Sequence, residues 1–68
     1  MTDTALISEY FRNDQYEQVT RIVQGVAPSQ VDDRSVLRKV AESYRSLGQL
    51  TESISWQERL VEVKPVAS

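Results

Sequence analysis

Between Val36 and Leu47 the apolar residues Val36, Leu37, Val40, Ala41, Tyr44 and Leu47 recur at steps of three and four. That spacing gathers side chains on one side of a 3.6-residue helix and scatters them over both faces of a strand. Arg34, Arg38, Glu42 and Arg45 fall on the opposite side. Asp32 or Asp33 supplies a carboxylate for the free amides at the start, and Gly48 supplies the left-handed residue that stops the helix. A second amphipathic segment follows from about residue 50, with Thr51 as a candidate cap, and Pro65 is expected to close it. It carries two apolar stripes, one of Leu50, Ile54 and Val61, the other of Trp56, Leu60 and Val63. A helix apolar over so wide an arc is expected to pack on more than one neighbour.

The first half reads as a weaker version of the same design. Thr2 or Asp3 caps a helix over about 3–12, whose apolar face is Leu6, Ile7, Tyr10 and Phe11. A polar turn over 12–15 leads to a helix over about 15–24, with Tyr16, Val19, Ile22, Val23 and Val26 inward. Gly25 and Pro28 stop it, and 29–33 reads as a polar connector. Displaced by 34 residues, Leu6 falls on Val40, Ile7 on Ala41, Tyr10 on Tyr44, Asp14 on Gly48, Tyr16 on Leu50 and Val26 on Leu60. Register kept in both the apolar positions and the turn indicates an internal repeat. The expectation is an all-α chain forming one domain over 1–68, with repeats over about 1–33 and 34–67.

Composition narrows the function. In 68 residues there is no cysteine and no histidine, so disulfides, thiolate metal sites and the usual neutral-pH general base all lack their residues. Eight basic residues are spread along a chain of net charge −2, without the concentrated positive footprint of a nucleic-acid binder. No apolar run approaches the length of a membrane span, and no basic segment followed by an apolar run marks a secretory signal. The two glycines are isolated, so there is no phosphate-cradling loop. Asp32 and Asp33 read as helix caps, and Glu58 and Glu62 as outer-face charges, rather than as a catalytic pair. The reading is a non-enzymatic, cytoplasmic chain with neither metal nor cofactor and with no membrane or nucleic-acid partner.

At this period the second half resembles a tetratricopeptide repeat, a helix-turn-helix unit of 34 residues. Leu37, Val40-Ala41, Tyr44, Gly48, Leu50, Ser53 and Pro65 match the family pattern in order and spacing, Ala41 and Ser53 being small where helices cross closely. Gln57 stands at the family's second-helix aromatic, Trp56 one residue early, and Leu60 at its second small position. In the first half Asp3 and Ile7 depart from the pattern. The resemblance implies two tandem helix-turn-helix repeats, four antiparallel helices in a short right-handed stack, with the first and third helices side by side. The same apolar spacing also suits an up-and-down four-helix bundle, in which the first helix meets the fourth.

The resemblance also implies a groove lined by the first helix of each pair, holding a protein or peptide partner. Position by position, Thr4, Ser8, Phe11, Arg12, Arg38, Glu42, Arg45 and Ser46 are expected there. The arginines suit carboxylates, and Phe11 suits an apolar side chain. The carboxylate clamp of the family's co-chaperone type is not expected, since Ser8 and Glu42 occupy its asparagine positions and Thr4 a lysine position. A second route to function is association through the last helix. With the chain stopping soon after Pro65, Trp56, Leu60 and Val63 are expected to form an exposed patch that self-associates or is covered by a longer array. The alternatives are an N-terminal accessory segment of a larger enzyme and a small self-associating bundle.

Overall fold

The structure, a computed structural model, describes residues 4–63. Four α-helices follow one another: α1 Thr4–Arg12, α2 Tyr16–Ile22, α3 Arg34–Ser46 and α4 Leu50–Glu62, with a 3-10 turn at Pro28–Gln30 between α2 and α3. They form two helical hairpins. α3 packs on all three other helices, most extensively on α4, while α1 lies against α2 and α3. The pairing of α1 with α3 is the arrangement expected of stacked repeats.

The two hairpin turns share one geometry. In the first, the amide of Gln15 donates to the Tyr10 carbonyl (2.8 Å) and that of Asp14 to Phe11 (3.1 Å). In the second, Gln49 donates to Tyr44 (2.9 Å) and Gly48 to Arg45 (3.0 Å). Each residue of the second set stands 34 positions after its counterpart. Asp14 and Gly48 both adopt left-handed backbone, φ 60° and 80°. This is the paired-bond helix ending in which a residue past the cap turns left-handed and returns two amides to orphan carbonyls. Gly48 reaches that region without a Cβ penalty, and aspartate is among the few other residues that visit it. Both second helices then start after a glutamine, Gln15 (φ −91°, ψ 64°) and Gln49 (φ −90°, ψ 74°).

Several local expectations change. Thr51 is not the cap of α4; Gln49 holds that position, and its side chain accepts no bond from the helix's first amides. Gly25 is not left-handed, and α2 ends at Ile22, two residues before the expected end near residue 24. The connector is not wholly polar, because Val31 is buried. Its carbonyl accepts from Arg59 Nε (3.2 Å), and the same guanidinium holds the Asp32 carboxylate, so α4 fastens the connector down. Asp33 does cap α3, its Oδ1 accepting from the amides of Ser35 (2.9 Å) and Val36 (3.4 Å). The expected caps Thr2 and Asp3 and the terminator Pro65 lie outside the described residues.

The core gathers Ile7 of α1, Val19 and Val23 of the α2 region, Val31, then Val36, Leu37, Val40, Ala41 and Tyr44 of α3, and Trp56 of α4. Where α3 crosses α4, Ser53 Oγ donates to the Ala41 carbonyl (2.9 Å) in the buried contact. A hydroxyl can sit there because its donor is satisfied, and both side chains are short enough for backbones to approach. That contact fixes the rotation of α4. Ser53, Trp56, Leu60 and Val63 share one row, so all four turn inward, the first two buried and the last two half-buried.

A candidate protein-interaction face

Burial of that row reverses the expectation for the last helix. Trp56 is only 2% exposed and is the largest fully buried side chain, so it belongs to the core and not to an exposed patch. Leu60 and Val63 are half-buried against the same core. The other stripe faces outward: Leu50 is 61%, Ile54 55% and Val61 81% exposed.

The residues expected to line a groove separate into two groups. Phe11 and Arg38 are brought together in a concavity of about 240 Å³ whose remaining walls are Arg34, Ser35, Lys39 and Leu60. Its floor is the N-terminal half of α3, with Phe11 of α1 on one side and Leu60 of α4 on the other. Ser8, Arg12, Glu42 and Arg45 do not line it. Ser8 is half-buried, while Thr4, Arg12, Glu42, Arg45 and Ser46 are exposed. Glu42 and Ser46 act instead on Tyr16 across the α2–α3 contact. The Tyr16 hydroxyl donates to Asp14 Oδ1 (3.0 Å), and that bond, with desolvation and the Asp14 and Glu42 charges, raises its pKa, an effect the nearby Ser46 hydroxyl partly opposes.

Each cation of the concavity has a different duty. Arg34 Nη1 donates to the carbonyls of Leu60 (2.7 Å) and Val63, satisfying orphan acceptors at the end of α4. Its positive charge also suits the negative end of that helix. Lys39 Nζ donates to Ser35 Oγ (2.7 Å). Arg38 makes no hydrogen bond or ion pair among the described residues, and its guanidinium is exposed. Phe11 is half-buried, its ring set edge-on to Tyr16 at 5.7 Å and 69°, so it is a fixed apolar wall. A rigid aromatic beside an unengaged guanidinium suits a chain segment carrying a carboxylate next to an apolar side chain.

Sequence reasoning missed Arg34, Ser35 and Lys39 and placed Leu60 elsewhere. One signal was available for Arg34. A hairpin hinged at Gly48 returns its last turn beside its first, so a basic residue at the start of α3 meets the carbonyls that end α4.

Among the described residues no cluster of three or more acidic, histidine or cysteine side chains is placed to hold a metal ion, and no helix is long and apolar enough to cross a membrane. No protein-family model matches the chain, and no curated protein or solved structure matches it significantly.

Proposed function

We propose that this chain is a non-enzymatic protein-interaction module of tetratricopeptide-like design, which holds an acidic peptide segment in the concavity over α3. The observation that carries this reading is the meeting of Phe11 and Arg38, from different hairpins, around one concavity with Lys39. The internal repeat supports the family likeness: two hairpin turns with the same bonds and the same left-handed residue stand 34 positions apart. The basic lining contrasts with the chain's net charge of −2, so attraction for acidic segments is local to this face.

The test is a titration of the isotopically labelled chain with short synthetic peptides that pair glutamate or aspartate with leucine, followed by amide and side-chain NMR shifts. Shifts concentrated at Phe11, Ser35, Arg38 and Lys39, abolished by Arg38→Glu and weakened by salt, are the expected result. Shifts spread evenly over the surface, or unchanged in Arg38→Glu, refute the site.

A further inference from the structure

We infer that a second copy of this chain docks on α4, the two fourth helices lying parallel and side by side about a two-fold axis. Leu50, Ile54, Gln57 and Val61 follow one another at steps of four, three and four, the spacing of a two-stranded helical seam. All four are exposed. The repeat shows what belongs on such a face. The counterparts of Leu50, Ile54 and Gln57, 34 positions earlier, are Tyr16, Thr20 and Val23. In the first hairpin α3 lies over α2, Val23 is buried and Tyr16 and Thr20 are half-buried. The equivalent face of α4 has no helix over it among the described residues.

Charge identifies the occupant. The Ala41–Ser53 contact fixes which edges of α3 and α4 adjoin. Arg38 and Arg45 stand three before and four after Ala41, and Leu50 and Gln57 three before and four after Ser53. In an antiparallel pair those two rows open on the same side. The apolar stripe of α4 is therefore flanked on one side by the arginine edge of α3. On its other side it is flanked by Thr51, Ser55, Glu58 and Glu62, the last also 3.5 Å from Arg59. A helix that fits must present an apolar stripe with an acidic flank, and α4 is such a helix. Parallel pairing sets the acidic flank of each copy against the arginine edge of the other. Antiparallel pairing would set arginine edge against arginine edge. The parallel register also places Gln57 opposite Gln57 of the second copy, where two amides can bond and fix alignment at some expense of stability. Four seam residues make a small interface, so the dimer is weak and concentration-dependent. Arg38 borders both surfaces, whereas Ile54 and Gln57 lie outside the concavity, so substitutions at those two positions leave its lining intact.

Sedimentation equilibrium of the whole chain, from about 10 µM to about 1 mM, reads the association directly. The expected course is monomer to dimer and no further. Ile54→Glu raises the dissociation constant about tenfold or more with helical content unchanged, whereas Gln57→Leu lowers it about tenfold. Because the chain has no cysteine, orientation is read from single substitutions. Under mild oxidation Gln57→Cys cross-links rapidly to its counterpart, while Ser55→Cys, outside the seam, lags behind. A chain that stays monomeric even as Gln57→Leu overturns the inference, as does a ladder beyond dimer or a dimer indifferent to Ile54→Glu. Equal cross-linking at positions 55 and 57 overturns the parallel seam.

Discussion

Two glycines, one left-handed and one not, give a controlled perturbation of the hairpin turn. Gly48 sits at φ 80°, and a Cβ built there meets nothing within 4 Å. The cost of Gly48→Ala is therefore backbone strain alone, about 1–2 kcal/mol for an L-residue in the left-handed region. Gly25 also has open space around a built Cβ, but its backbone is not left-handed. Gly25→Ala removes conformational freedom from the unfolded chain without that strain, so it is neutral or stabilising by up to about 1 kcal/mol. In a domain of this size a 1 kcal/mol loss lowers the melting temperature by about 4–8 °C, so the two variants separate clearly. Urea unfolding followed by far-UV circular dichroism and by Trp56 fluorescence measures both on one scale. The expected pattern is a lower midpoint for Gly48→Ala, an unchanged or higher midpoint for Gly25→Ala, and equal slopes. Asp14→Ala, at the matching turn, shifts the midpoint in the same direction as Gly48→Ala. A Gly48→Ala protein as stable as the parent, or Gly25→Ala harmed as much, refutes the paired-turn geometry.

Trp56 is the largest buried side chain, and its removal as Trp56→Ala forfeits about 3–5 kcal/mol, on the order of a small domain's whole stability. Loss of cooperative unfolding is the expected result, and a folded variant with an intact transition contradicts the core assignment. Arg34→Met keeps the apolar stem but strips the donors from the Leu60 and Val63 carbonyls. It should cost about 1 kcal/mol and speed amide exchange at the end of α4 ahead of α3, whereas unchanged exchange there removes the capping role. Burial, and secondarily the Glu52 charge, raises the pKa of Tyr44 above its ordinary 10.0. The folded chain thus prefers the neutral phenol. That contribution is fully present below the ordinary value and is lost as pH rises through the raised one. Alkaline titration should destabilise the parent more steeply than Tyr44→Phe, and parallel curves would show that Tyr44 plays no part.

The all-α class, the four helices and the two hairpins were legible because apolar residues recur at three and four and because the Gly48 turn is unambiguous. α3 was the clearest, since its cap Asp33, its apolar row and its stop are all local signals. α2 was overextended: Ile22, Val23 and Val26 keep helical spacing, yet the last two are used in the turn and connector. The face of α4 was the instructive error. Its two stripes carry similar residues, and composition alone does not say which turns inward. The decision lies in Ser53, whose small size admits close approach to Ala41 and carries Trp56 and Leu60 inward along the same row. Both small residues were readable as crossing points, so the rotation followed from them had the row been traced. Phe11 and Arg38 were placed in one site from sequence because the repeat aligns their helices. Arg45 and Glu42 were drawn into it by the same logic, since they share the face of Arg38, but the helix rise carries them about 6 to 10 Å farther along α3, beyond the concavity.

The stacking of α1 on α3 underlies both proposed surfaces, and methyl NOEs test it most directly. With isoleucine, leucine and valine methyls labelled, the stack requires contacts from Ile7 to Val36 or Val40 of α3, on the side of α3 away from α4. The same spectra should show the Ile54 methyls without a partner on α1. Strong contacts from Ile7 to Ile54 or Val61, with none to Val36 or Val40, would instead describe an up-and-down bundle in which α1 covers the apolar stripe of α4 and no longer stacks on α3.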